Sequence, residues 1–426
     1  MGSKFGMLCA ACTVLVLGGC STPRTMSEEK LRELEKQDAI AFRAEFDAAV
    51  ARLMDRIARR MDEAGGKQVT LDLLALSGGG DYGAFGAGLL VGWAKAPGDF
   101  KRPDFDCVTG VSTGSMLAPF AYVGTDESCR TVEEFYRNPR SDWVQMHWPF
   151  FFWPSNPSFA TIPGLHRDLV KVMDKQFAEE MAAQSEKGKL LLVSASNIDL
   201  SKQRFWDLGP LAAAGVKDGD LSPVSNRMLA SAAIPVVFPP VKVGDFLYVD
   251  GGVTANVLLR LDPKSPDGFI QTWRRRYPDR PIPNVRYWIV INNQIHPAPQ
   301  VVSERWPSIV SPALEMSIRS GTLAEVRWLA AEAMYVNAEF DANIEVRVIA
   351  IPDDWRPPVP GDFQRETMDS LAELGEKMGA DPSAWSVWCS RAMSNSRDAW
   401  RPVEGPTGIP RSTTPGGPTA PATPSK

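Results

Sequence analysis

A serine, an aspartate and a run of glycines, set in three separate segments, are the residues of this 426-residue chain best suited to chemistry. Gly110-Val111-Ser112-Thr113-Gly114 follows a short apolar run and opens a helix-like stretch, the context in which a G-x-S-x-G turn presents a nucleophile. A sharp strand-to-helix turn pushes the serine outward, and near side-chain-free neighbours let the chain reverse. The helix N-terminus then stabilises negative charge developing beside the hydroxyl. Gly78-Gly79-Gly80-Asp81-Tyr82-Gly83 also lies between a strand-like and a helix-like run. Its bare amides could hold an oxyanion, each donor worth about 3–4 kcal/mol of transition-state stabilisation. Asp250-Gly251-Gly252 ends the apolar run Phe246 to Val249, at the strand edge where α/β sheets place their sites.

Competing chemistries can be weighed on the same residues. Gly78, Gly80 and Gly83 fit a dinucleotide fingerprint, G-x-G-x-x-G, but that motif needs an acidic residue at the end of the next strand. Here the next strand ends in Val108-Thr109-Gly110 and runs into the serine turn, so the cofactor reading fails and no cofactor is expected. The order Ser112, Asp250, His296 is that of an α/β-hydrolase triad, which leaves a triad esterase open beside a Ser112–Asp250 pair. Of the six cysteines, Cys9, Cys12 and Cys20 lie at the apolar N-terminus, and the remaining Cys107, Cys129 and Cys389 show no CxxC pair and no histidine at ligand spacing, so no metal is expected. A net charge of −5 without a long Lys/Arg block speaks against nucleic acid as a partner.

The elements that must position these residues can be read coarsely. Hydrophobic content of 44% and charged content of 23% are ordinary globular values. Ser27 to Glu63 reads as one helix, with Phe42, Phe46, Ala49, Leu53, Ile57 and Met61 at helical spacing and Gly65-Gly66 stopping it; its mixed charges favour packing over lying on a membrane. From Val69 the pattern becomes short apolar runs alternating with helices: Val69–Leu76, Phe105–Thr109, Leu190–Ala195, Phe246–Val249, Arg286–Ile291 and Ile344–Ile351 are strand candidates. That alternation predicts an α/β fold with a largely parallel sheet. Phe363 to Met378 predicts one more helix. Residues 401–426, rich in Pro, Gly and Thr with almost no large apolar side chain to bury, are expected to be a disordered tail.

Taken together, the three segments resemble the patatin-like phospholipase family, whose pattern is a G-G-G-x-R/K-G loop, a G-x-S-x-G serine and a D-G-G/A aspartate in that order. Ser231-Ala232-Ala233-Ile234-Pro235 with Phe238-Pro239-Pro240, Ser196-Asn197-Ile198-Asp199, and Phe205-Trp206-Asp207 also look like family sequence. The resemblance runs from about Val69 to Met378. It implies a three-layer fold with helices flanking the sheet, and serine acyl-ester hydrolysis of phospholipase A or lysophospholipase type. Ser112 is then the nucleophile, Asp250 the second member of a dyad, Gly78, Gly79 and Gly80 the oxyanion hole, and Gly83, Gly110, Gly114, Gly251 and Gly252 motif glycines. One departure stands out: Tyr82 replaces the usual basic residue of the first loop, removing a positive charge near the anion site. A catalytically silent lipid- or partner-binding lipoprotein is the alternative that this departure supports.

The N-terminus points to export. Lys4 precedes the apolar stretch Met7 to Leu17, too short to span a bilayer but suited to a signal peptide. Leu17-Gly18-Gly19-Cys20 looks like a bacterial lipobox, which implies a lipidated Cys20 and an exported, membrane-anchored lipoprotein on the periplasmic face. The expected organisation is a signal over 1–19, a lipidated end and helix over 20–66, a hydrolase domain over 67–400 and the tail. Such a compartment permits a disulfide, Cys129 with Cys389 being one pairing, while Cys107 reads as a buried thiol. Trp143 to Phe159, rich in aromatics and broken by prolines, could meet a lipid surface, cover an acyl channel or pack on the sheet.

Overall fold

The structure is a computed structural model that describes residues 26–146, 157–258 and 261–394. The expected signal with Cys20, the aromatics Trp148, Phe150, Phe151, Phe152 and Trp153, and the tail lie outside the described residues.

In chain order the elements begin with α1 (Glu28–Glu63), β1 (Thr70–Leu76), α2 (Gly83–Trp93), β2 (Cys107–Val111), α3 (Thr113–Val123) and α4 (Asp126–Arg137). A short ladder, β3 (Gln145–Met146) and β4 (Ala160–Thr161), flanks the aromatic segment. Then come α5 (Pro163–Val172), α6 (Lys175–Glu186), β5 (Leu190–Asn197), β6 (Lys202–Asp207), α7 (Leu208–Asp218) and α8 (Ser222–Ser231). The remainder is β7 (Val241–Val243), β8 (Phe246–Asp250), α9 (Phe269–Arg276), β9 (Asn284–Gln294), α10 (Trp306–Phe340), β10 (Ile344–Ile351), α11 (Arg365–Gly379), β11 (Ser386–Cys389) and α12 (Arg391–Ser394).

One sheet carries the order β11-β10-β9-β1-β2-β5-β8-β7, with β6 also paired to β5. Its middle, β10, β9, β1, β2 and β5, is parallel. The flanking pairings β5–β8, β7–β8, β5–β6 and β10–β11 are antiparallel. The fold is thus mixed α/β with a largely parallel central sheet flanked by helices, as the alternation predicts. Beta-strand side chains alternate between faces, and β1 shows why both faces are covered. Leu74 and Leu76 enter one core with α2, α3, α4 and α11, while Leu71, Leu73 and Ala75 enter the other with α1, α9 and α10.

Alpha1 starts where Ser27 caps it, its hydroxyl accepting the Lys30 N–H at 3.1 Å. It packs rather than floats: Ala49, Ile57 and Met61 are buried, and Phe42 meets Phe205 edge-on at 4.7 Å. Arginines strap it to the sheet. Arg56 Nε and Arg60 Nη1 donate to the buried Asp106 carboxylate at 2.7 and 2.8 Å, and Arg52 pairs with Asp207. On the opposite face α2 and α11 meet backbone to backbone, since a Cβ on Gly88 would fall 2.0 Å from the Ala372 carbonyl oxygen.

The permitted disulfide does not form. Cys129 is a buried thiol, and Cys129 and Cys389 sit in the two cores on opposite faces of the sheet; Cys107 is buried as expected. Trp143, the first aromatic of the Pro-rich segment, packs inward, stacking on Phe135 at 4.8 Å and donating its Nε1 to Asp168 at 2.8 Å. Among the described residues no helix is long and apolar enough to cross a membrane.

Candidate active site

Three turns at the C-terminal edge of the parallel strands converge. The first follows β2. Ser112 caps α3 with φ 54° and ψ −124°, a left-handed backbone that a serine adopts only when its surroundings hold it there, at a cost of order 1–3 kcal/mol. What holds it is visible. The Ser112 N–H donates to Ser231 Oγ at 2.9 Å, and the Ser112 carbonyl accepts from Ser115 N–H at 2.8 Å and Ser115 Oγ at 2.6 Å. Gly114 permits the tight turn because a Cβ there would lie 2.1 Å from the Leu76 carbonyl oxygen. The result aims the hydroxyl into a cavity above the N-terminus of α3, a helix buried along its whole length.

The second turn follows β8. Asp250 is 2% exposed; its carboxylate accepts the Gly252 N–H at 2.8 Å and lies near enough to the Ser112 hydroxyl to be stabilised by it. Burial pushes its carboxyl up to about 6; the Ser112 hydroxyl and the Gly252 amide, which favour the charged form, pull back against that. Its backbone is pinned as well, with Asp250 N–H on the Ala233 carbonyl at 2.8 Å and Ser196 Oγ on the Asp250 carbonyl at 2.9 Å. Ser231-Ala232-Ala233, quoted from the sequence without a role, is therefore a brace under both turns.

The third turn follows β1. Gly78 lies against the serine, since a Cβ on it would fall 2.9 Å from Ser112 Cβ and 3.6 Å from Ser112 Oγ. Its amide is engaged, however, donating to Asn256 Oδ1 at 2.7 Å, so of the three expected oxyanion donors Gly78 serves position rather than binding. The amides of Gly79 and Gly80 have no acceptor among the described residues. Gly79 must be glycine because a Cβ would lie 1.9 Å from the Asn292 carbonyl oxygen, and Gly80 because its φ is +61° with open space beyond. Asn256 is in turn held by Thr322 Oγ1, at 2.8 Å from its Nδ2, and by the Glu325 carboxylate, at 3.0 Å from its backbone N–H. Both partners stand on α10, a helix that the strand–helix alternation does not announce.

These turns open into a cavity of about 980 Å³. Ile234, Val237, Phe238, Ile291, Leu314 and Leu323 give it apolar walls, and Ser112, Asp250 and Gly78 to Tyr82 form one end. Tyr82 stands half-buried with its ring edge-on to Trp355 at 5.4 Å; burial pushes its hydroxyl up to about 12, and the neighbouring carboxylates of Asp81, Glu315 and Asp362 act in the same direction.

The segment from residue 74 to residue 261 matches the family described as patatin-like phospholipase, and it contains all three turns. Residues 74–261 are a patatin-like phospholipase domain. Such a domain supports lipid acyl hydrolase chemistry in general. The patatin-like domain does not hold the whole cavity, because β9, α10 and the loop before α11 contribute walls from beyond residue 261. No curated protein matches the chain. Among solved structures, the crystal structure of VipD from Legionella pneumophila is similar over 76% of this chain and 69% of its own, at 14% identity and a TM-score of 0.31.

His296 stands apart from the patatin-like site. Its Nδ1 lies 2.8 Å from Asp353 Oδ2 and its backbone N–H donates to Asp353 Oδ1 at 2.8 Å. It does not line the cavity, whereas Asp250 does, its carboxylate accepting the Gly252 N–H and feeling the Ser112 hydroxyl. His166 is exposed on α5. Among the described residues no cluster of His, Cys, Asp or Glu could hold a metal.

Proposed function

We propose that this protein hydrolyses acyl esters of membrane lipids through a Ser112–Asp250 dyad, in the manner of a phospholipase A or lysophospholipase. The observation that carries this reading is the strained Ser112 turn set beside the buried Asp250 carboxylate, which burial has raised to about 6 and the Ser112 hydroxyl pulls back down. An ordinary aspartate, titrating near 3.9, is a feeble base; one near 6 matches its proton affinity better to the task while still ionised at pH 7.

In the first half-reaction Ser112 Oγ adds to the ester carbonyl carbon as its proton passes to Asp250. The carbonyl π pair moves onto oxygen, and that oxyanion meets the Gly79 and Gly80 amides. Collapse re-forms the carbonyl and breaks the bond to the alkoxy oxygen, which leaves as the alcohol with the proton from Asp250. In the second half a water molecule gives a proton to Asp250 and adds to the acyl-serine; collapse returns the proton to Ser112 Oγ and releases the fatty acid. The apolar cavity walls are suited to the acyl chain. A fluorophosphonate probe should label the wild type and leave Ser112→Ala unlabelled; wild type without labelling would remove the hydrolase reading and favour a silent lipid-binding role.

The enzyme is further proposed to act from a membrane, held through lipid on Cys20 as an exported bacterial lipoprotein. Each buried methylene of an acyl anchor contributes roughly 0.8 kcal/mol to partitioning. Cells fed a labelled fatty acid should incorporate it into the wild type and not into Cys20→Ala, and the variant should move from the membrane to the soluble fraction. Equal labelling of both would overturn the anchor.

A further inference from the structure

Several arginines of this molecule are tied to carboxylates. Arg56 and Arg60 share Asp106, Arg137 holds Glu133 and Glu376, and Arg204 holds Glu45. Arg319, on α10, is different. It lines the substrate cavity. Its Nε is shielded from solvent and lacks a hydrogen-bond partner, and the side chain makes no ion pair among the described residues. A shielded N–H without an acceptor is unfavourable, and on a half-buried arginine that also faces the cavity an entering anion would supply that acceptor.

The charges around it narrow the choice. Glu315, one turn earlier on α10, is turned toward Ser311, whose hydroxyl donates to it at 3.1 Å. Asp81 is held by the Phe363 amide at 2.9 Å, and Asp362 lies near Tyr82. The other cationic walls are occupied: Arg140 lies 3.6 Å from Asp168, and Arg356 donates to the carbonyls of Asp353 and Trp355 at 2.6 Å each. Arg319 thus carries the cavity's unspent guanidinium.

Its position ties it to the reacting end. The preceding residue, Ile318, would meet a Cβ on Gly252 at 3.4 Å. Thr322, three residues on, holds the Asn256 that fixes Gly78 against Ser112. A substrate with its ester carbon at Ser112 and its acyl chain along the apolar walls would bring a group only a few bonds from that ester toward Arg319. A planar fork of donors is matched to a phosphate diester, two of whose oxygens it can hold together.

We propose that Arg319 binds the phosphate of the substrate and so selects phosphate-bearing acyl esters over neutral glycerides. This rests on the Ser112–Asp250 reading. The test uses the full chain as wild type, Arg319→Gln and Arg319→Lys, with each protein first titrated by fluorophosphonate to count reactive Ser112. Rates are measured on a phosphatidylglycerol and on a diacylglycerol with the same acyl chains, in matched neutral-detergent micelles, with and without inorganic phosphate.

Loss of a charged hydrogen bond predicts that Arg319→Gln lowers the phospholipid-to-diacylglycerol ratio of kcat/KM by about ten- to hundredfold, mainly through KM. Arg319→Lys should recover part of the ratio, and inorganic phosphate should inhibit the wild type more than Arg319→Gln. A ratio that does not move, or an equal loss on both substrates, overturns the assignment even though Ser112 still reacts. Phosphate inhibition without a change in ratio overturns it too, since the anion bound would then not be the lipid's. Wild type in which Ser112 fails to react brings down the hydrolase reading and this proposal with it.

Discussion

Replacing Asp250 by asparagine should make the protein more stable and far less active at pH 8. The folded carboxyl sits at about 6 against about 3.9 for an unperturbed aspartate, and about two units at 1.36 kcal/mol each is about 3 kcal/mol. Because the folded value is raised, the contribution to stability is fully present below about pH 4 and is lost as pH climbs through about 6. At pH 8 the buried carboxylate therefore costs about 3 kcal/mol that an isosteric amide avoids. Asparagine can still accept the Gly252 N–H with its oxygen and donate to Ser112 with its nitrogen, so no polar atom is stranded. Urea unfolding at pH 8 and pH 4, at one ionic strength, should give Asp250→Asn an advantage of up to about 3 kcal/mol at the higher pH and almost none at the lower. Asp81 and Asp207, also near 6 through burial, titrate in both proteins and cancel in the difference. Ester hydrolysis should fall by about 10²- to 10⁴-fold with the loss of the base, and wild-type kcat/KM should decline as pH drops below about 6. An advantage that is the same at both pH values, or a variant less stable at pH 8, would refute the reasoning.

Asn256→Ala leaves the Gly78 amide without its acceptor and should lower stability by about 1–3 kcal/mol, with kcat dropping more than KM rises; steady-state kinetics with thermal melts measures both, and unchanged kcat would mean the loop needs no such clamp. Asp106→Asn removes the carboxylate shared by Arg56, Arg60 and the Asp72 N–H, and breaking a buried pair of this kind should cost about 3–5 kcal/mol, seen as a lowered urea midpoint. His296→Ala should keep wild-type hydrolysis, since that ring is held by Asp353 away from the dyad; loss of activity in a folded variant would revive the triad.

The three reactive turns were legible because backbone crowding writes itself into sequence as glycine. Gly79 and Gly114 each face a carbonyl oxygen about 2 Å from where a Cβ would stand, and no other residue fits. The parallel strands were legible for a related reason: burial on both faces demands mostly apolar runs, such as Leu73–Leu76 and Val348–Ile351 at the ends of β1 and β10. Strands at the sheet's flanks were not. Beta7 has three residues and β11 four, with only Cys389 of the latter buried, too little for a pattern to register. Alpha10 escaped notice because Pro312 lies inside it and its contribution is made by isolated polar side chains. Thr322 and Glu325 look like ordinary solvent-facing residues until the fold sets them against Asn256, as does Arg319 until it lines the cavity. The engaged Gly78 amide was equally invisible, because sequence shows which donors exist and not where they are spent.

Beta1 takes β2 as its neighbour on one side and β9 on the other. Beta9 and β10 are made from chain that follows residue 261, beyond the segment shared with the family. A polypeptide severed there would carry β1, a raw and mostly apolar edge beside its serine, ready to zip onto another copy. The family segment is in that sense a sheet with one side open, sealed by what comes after it.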